Sequence, residues 1–150
     1  KKQPLISVIV ASYNYAKYIK ETLDSLTDKP INHLIVVDDG SKDQSLPIIE
    51  EYANRFKNIK LYTHPGNQNR GLAETVILGI EKSNGEYIAF CESDDYWTNN
   101  HIEYLQDTIQ QNPLANFIVN GIKVINLSNN PEYDSYIEFS SSFLKKHSGS

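Results

Sequence analysis

The stretch Gly85-Glu86-Tyr87-Ile88-Ala89-Phe90-Cys91-Glu92-Ser93-Asp94-Asp95-Tyr96-Trp97 decides how the chain is read. Tyr87 to Cys91 have strand-forming character, and they give way at once to three carboxylates and a hydroxyl. A buried strand that delivers acids to its carboxyl end points to an open α/β sheet, where ligands sit beyond the strand ends. Asp94 and Asp95 repel each other, a crowding best tolerated where a cation or a donor-rich ligand neutralises it. The plainer alternative is an acidic loop in which Ser93 or Asp94 caps a helix, and this stretch alone leaves both readings open.

The segments around it repeat the same grammar. Upstream, Ala73, Val76, Ile77 and Ile80 are spaced for the inward face of a helix that Asn84-Gly85 closes. Earlier still, Leu5 to Val10 and Leu34 to Val37 are nearly unbroken apolar runs, as expected of strands covered on both faces. The first ends at Ala11-Ser12-Tyr13-Asn14 and the second at Asp38-Asp39-Gly40-Ser41, where Gly40 can take a turn conformation closed to other residues. Between them Ile19, Leu23 and Leu26 recur at helical spacing from about Lys17 to Thr27. Ser41-Lys42-Asp43-Gln44 fits a capping box, so Ser41 is expected to open a helix whose Leu46, Ile49, Tyr52, Ala53 and Phe56 share a face. Ile59 to Tyr62 is a third strand, and His64 to Asn69 has the composition of a loop. Beyond Trp97, Ile102, Leu105 and Ile109 mark a fourth helix closed by Asn112-Pro113. Phe117 to Val119 is expected as a fifth strand, with Ile122 to Leu127 as another. Strict alternation of strand and helix implies a mainly parallel sheet with right-handed crossovers. Three strand ends on one rim would carry Tyr13-Asn14, Asp38-Asp39 and Asp94-Asp95.

At 150 residues the chain suits one domain with a substantial core. The expected division is 1–127 as the ligand-binding domain and 128–150 as the start of an acceptor region or a tail, in a chain that is a piece of something longer. A net charge of −5 argues against a phosphate-backbone binder, so nucleic acid is not an expected partner. No apolar run reaches the roughly 20 residues of a membrane span. The expected location is the cytoplasm, with peripheral attachment to the inner face of the membrane as the alternative. The single Cys91 lies on an apolar strand, where it is expected to pack as a small hydrophobe. His33, His64, His101 and His147 have no paired ligand spacing, and His101 is expected on a solvent-facing helix position.

Neither a G-x-G-x-x-G nor a Walker sequence occurs, so a pyrophosphate would have to be neutralised otherwise. A divalent cation held by one or two carboxylates and by phosphate oxygens is the common solution, and Asp94 and Asp95 suit it. Asp39 could accept hydrogen bonds from a base N–H, and Tyr13 could stack on the base. Together these residues imply a nucleoside diphosphate ligand.

The segments Ile6 to Asn14, Val36 to Ser41, Asn69-Arg70-Gly71 and Gly85 to Asp95, in this order and spacing, resemble the family 2 glycosyltransferases. The resemblance covers roughly the first 120 residues. It implies the GT-A fold, a Rossmann-like three-layer α/β/α sandwich with a mainly parallel central sheet. It also implies a transferase that takes a sugar from a nucleotide-diphosphate donor, UDP-linked by expectation, to a hydroxyl of a glycan or lipid-linked acceptor. Such an enzyme is usually inverting and assisted by Mn²⁺ or Mg²⁺, and membrane-associated partners are expected for a full-length protein. By position, the resemblance makes Ala11 and Tyr13 base contacts, Asp39 the base-binding aspartate, Asp94 a ribose or metal contact and Asp95 the main metal ligand. Val76 and Ile77 stand where the family commonly has an Arg-Asn pair, which leaves Arg70 as the candidate basic contact to the donor. The catalytic base is unassigned; Glu132, Asp134 and Glu138 are the only late carboxylates. The alternatives are a catalytically silent nucleotide-sugar-binding module of a larger synthase and a phosphorylation-dependent receiver. The receiver places its paired acids after the first strand, where this chain has Tyr13-Asn14.

Overall fold

The structure, a computed structural model, describes residues 2–119. It divides into a compact unit ending at Pro113 and a second unit from Leu114 onward. In the first unit strands β1 (Ile6–Ser12), β2 (His33–Asp38), β3 (Ile59–Thr63) and β4 (Tyr87–Phe90) alternate with helices α1 (Ile19–Thr27), α2 (Ser45–Arg55), α3 (Leu72–Lys82) and α4 (His101–Gln111). The sheet order is β3-β2-β1-β4 and every pairing is parallel. This is the expected α/β architecture. Among the described residues no helix is long and apolar enough to cross a membrane.

The apolar runs of β1 and β2 become the central strands because both of their faces are covered, whereas β4, expected from its sequence to be buried, is not enclosed: Ile88 and Phe90 are exposed. Val8, Ile9 and Val10 of β1 and Leu34 to Val37 of β2 are almost wholly inaccessible. A nine-residue helix is too short to hold alone in water. Complete burial of Ile19, Leu23 and Leu26 on α1 supplies about 2 kcal/mol each and holds it in place. Strand register sets Ile9 beside Ile35 and Ala11 beside Val37. Ile9, Ile35 and Val37 form one cluster with Leu78 of α3, so they share the α3 side of the sheet.

Helix α3 departs from the expected face. Its buried residues are Thr75 and Gly79, whereas Ala73, Ile77 and Ile80 are exposed and Val76 is half-buried. A Cβ on Gly79 would stand 2.6 Å from Ile9 Cγ2, which measures how closely the helix lies on β1. The Ser41 capping box does not form either. Helix α2 begins only at Ser45; its N-cap Gln44 makes no side-chain capping bond, and Asp43 Oδ1 accepts the Ser45 N–H at 2.8 Å. Asp38, three residues upstream, takes both the Ser41 hydroxyl (2.6 Å) and its backbone N–H (2.9 Å). Phe117 to Val119 form no strand among the described residues, and Phe117 is exposed. The further strand expected at 122–127 and the segment 128–150 lie outside the described residues.

Candidate active site

The loops that follow β1 and β2 are laced into one platform at the carboxyl rim. Ser12 O accepts the Asp39 N–H at 2.8 Å. The Asn14 N–H donates to Ser41 Oγ (2.9 Å), and Asn14 Oδ1 accepts the Lys42 N–H (2.7 Å). The Tyr15 N–H donates to Ser45 Oγ (2.8 Å) and the Ala16 N–H to Asp43 Oδ2 (3.0 Å). Asn14 holds a left-handed φ of 55°, a conformation that asparagine tolerates better than most residues. On this braced support the rings of Tyr13 and Tyr15 are exposed.

Asp39 continues the α3 face of β2 beyond Val37. Its carboxylate accepts the Arg70 N–H at 2.6 Å and the Gly71 N–H at 2.9 Å, and it is 4% exposed. Asp39 therefore fixes the Asn69-Arg70-Gly71 turn at the head of α3, a duty the sequence did not disclose. Two oxygens offer about four acceptor positions, so two backbone donors leave capacity for a further N–H. His64 stands behind it, with Nε2 at 3.5 Å from Asp39 Oδ1 and 3.0 Å from Thr75 Oγ1. The Thr75 hydroxyl donates to Gly71 O (2.9 Å), so His64 Nε2 carries the hydrogen of the shared bond. The Arg70 side chain is exposed beside this turn.

On the other side of β1, the Cys91 N–H donates to Ile9 O at 3.0 Å, which prolongs the β4 ladder to the foot of the acidic segment. Neighbouring strands are about 4.8 Å apart, so the ends of β2 and β4 flank β1 at a separation of about 10 Å. The acidic segment then bends over α1. Thr22 Oγ1 is shared between Ser93 O (3.0 Å) and Asp95 O (2.6 Å), and Ser25 Oγ accepts the Trp97 N–H at 3.1 Å. These two α1 residues escaped the sequence reading. Their only signal was polar character beside the inward Leu23 and Leu26. Tying down the segment's carbonyls leaves the Glu92, Asp94 and Asp95 side chains exposed.

Partial burial, and then the neighbouring carboxylates, push Glu92 and Asp95 above the usual carboxylate range. Cys91 is buried and pushed up to about 12, by burial first and by Asp95, Glu92 and Asp94 next; it packs rather than reacts. His101 is half-buried, not solvent-facing: its ring centroid is 4.4 Å from that of Trp97, and burial lowers its pKa. Among the described residues no set of three or more His, Cys, Asp or Glu side chains is arranged to hold a metal ion. The mutually repelling acids of 92–95 are the residues that could offer a cation one or two carboxylates. Glu132, Asp134 and Glu138 lie outside the described residues.

A parallel sheet with acids at its carboxyl rim and a braced aromatic loop beside them is the open α/β class of protein, in which ligands sit beyond the strand ends. The comparisons agree. The family described as Glycosyl transferase family 2 matches residues 7–148. An uncharacterized glycosyltransferase of Haemophilus influenzae is 36% identical over 114 residues, 75% of this chain and 45% of that protein. The uncharacterized glycosyltransferase EpsJ of Bacillus subtilis is 35% identical over 113 residues, 74% of this chain and 32% of its own length. The crystal structure of Staphylococcus aureus TarS in complex with UDP-GlcNAc superposes with a TM-score of 0.65 at 32% identity, over 81% of this chain and 37% of that one. The chain belongs to glycosyl transferase family 2, and it spans less than half the length of these relatives.

Proposed function

We propose that the chain binds a nucleotide-diphosphate sugar, with UDP as the nucleotide, for inverting transfer to a hydroxyl of a glycan or lipid-linked acceptor. The observation that carries this reading is the joining of the β1 and β2 ends. Ala11 and Asp39 fall on one face of the sheet, with the exposed Tyr13 ring beside them and the crowded acids one strand away. In this reading Ala11, Tyr13 and Asp39 receive the base, Asp94 meets the ribose or the metal, and Asp95 with Asp94 holds Mn²⁺ or Mg²⁺. When bound, the cation neutralises the leaving diphosphate. The chain's own contribution is orientation: the laced loops hold the base contacts in place, and Thr22 holds the backbone of the acidic segment so that its carboxylates face outward. The UDP-GlcNAc bound in the TarS crystal structure supports a UDP donor here.

Calorimetric titration with UDP, with and without Mn²⁺, tests the binding half. Mn²⁺ is expected to tighten UDP by at least about tenfold, and Asp95→Ala to abolish that gain. Equal UDP affinity with and without Mn²⁺ would remove the cation from the reading. Sugar transfer by the full-length protein, lost in Asp95→Ala, separates the enzyme from a silent donor-binding module.

A further inference from the structure

A cavity of about 460 Å³ opens between the carboxyl end of α1 and the 96–100 segment, on residues that the donor reading leaves unused. Asp28, Lys29, Tyr96, Trp97, Asn99 and Asn100 are among its walls. Its size is within the range of small-molecule sites. Lys29 is the unusual wall residue, because its side chain is 2% exposed. Its ammonium donates to Ser25 O and, at 3.0 Å, to Asp28 Oδ1. An ammonium has three N–H donors, and among the described residues two of them are taken. The Asp28 side chain remains 62% exposed, with acceptor positions to spare.

The pairing decides the ligand chemistry. Lys29 is already neutralised by Asp28, so the cavity holds no unbalanced positive charge to draw an anion out of water. It offers instead a half-exposed Tyr96 ring, two exposed amides at Asn99 and Asn100, and a carboxylate. An apolar ring face beside mixed donors and acceptors complements a molecule with a C–H face and a rim of hydroxyls. We propose that this cavity is a saccharide subsite that holds a sugar unit of the acceptor glycan. The inference rests on the transferase reading and extends it, since the cavity begins at Tyr96, one residue beyond the proposed metal ligand.

The test is ¹H–¹⁵N NMR of the chain, titrated with the methyl glycosides of glucose, galactose and N-acetylglucosamine, and separately with inorganic phosphate. At least one glycoside is expected to shift the Asn99 and Asn100 side-chain amides and the Trp97 indole saturably. Tyr96→Ala, and independently the exposed Asn99→Ala, should weaken that response about tenfold while leaving UDP affinity unchanged. The subsite is overturned if no glycoside moves these signals, if phosphate alone moves them, or if the glycosides act only around Tyr13 and Asp39. Loss of UDP binding by the unaltered chain would instead strike the transferase reading, so the two failures are distinguishable.

Discussion

The side chains of Asp38 and Asp39 leave the end of β2 in opposite directions, and each closes a different loop. Asp38 is wholly buried and binds Ser41, whereas Asp39 binds the Arg70 and Gly71 N–H groups. A hydrogen bond to a buried charge contributes about 1.5–3 kcal/mol, and Asp39→Ala deletes two. That variant should lose about 3 kcal/mol of unfolding free energy in urea, together with its UDP affinity. Gly40 between these loops has φ of +73°, and an added Cβ would lie 2.7 Å from Asn69 N and 2.8 Å from Asn67 O. Both are backbone atoms that cannot swing aside, so Gly40→Ala should cost at least about 2 kcal/mol in the same measurement. The turn at Gly40 was legible because only glycine is free there. Ser41 was misread because a capping motif does not reveal a competing acceptor, and Asp38 lies close enough to take its hydroxyl. The structural duty of Asp39 was hidden because its partners are backbone groups some thirty residues on, which no local pattern encodes.

Helix α3 carries the same lesson at the level of an element. Periodicity counts large apolar residues, yet this helix packs through Thr75 and Gly79 and leaves Ile77 and Ile80 exposed. Small residues allow the backbone to lie close to Ile9, and they contribute little to an apolar pattern. For Gly79→Ala two effects compete. Alanine gains about 1 kcal/mol in helix propensity, but the new methyl meets buried Ile9 at 2.6 Å, and overpacking costs about 1–3 kcal/mol. The clash is with the branch methyl of a packed residue, so the variant is expected to be net destabilised, seen as a lower urea midpoint at unchanged slope. Helices α1 and α2, whose apolar stripes were read correctly, are also joined by a polar pin. The Tyr52 hydroxyl donates to Asp24, as does Lys20 Nζ at 2.9 Å. Lys20 first and Tyr52 next lower the Asp24 pKa. A lowered carboxylate contributes stability that is present above its unfolded value of about 4 and lost as pH falls through the folded value. Tyr52→Phe should therefore destabilise the chain at neutral pH, and its deficit should shrink below about pH 4 in urea melts collected across the acid range.

Over the described residues, the alternation of strands and helices was legible as far as α4, because each crossover is encoded by its own apolar run and turn, whereas the fifth strand expected at Phe117 to Val119 is not formed. The order β3-β2-β1-β4 brings the ends of β2 and β4 to either side of β1, and it is this order that gathers acids from distant sequence positions at one rim. The gathering has a thermodynamic signature opposite in sign to that of Asp24. Glu92 and Asp95 have raised pKa values, so in the metal-free chain their contribution is complete below about pH 4 and is lost as pH rises through the raised folded values. The two effects occupy separate windows, with Asp24 acting below the ordinary carboxylate range and the acidic segment above it. A cation that binds the ionised acids should cancel only the second. Melting curves from pH 4 to 7 should thus decline toward neutrality without metal and flatten when Mn²⁺ and UDP are both present, with the Mn²⁺ effect fading on acidification as protons displace it. UDP and Mn²⁺ together, at about a hundred times their dissociation constant, should raise the melting temperature at pH 7 by about 5–10 °C. Asp95→Asn should show neither the decline attributable to residue 95 nor the Mn²⁺ gain. If Mn²⁺ adds nothing to the profile of the unaltered chain with UDP over this range, the carboxylates of 92–95 do not share a cation, and their exposure at the rim must serve something other than metal binding.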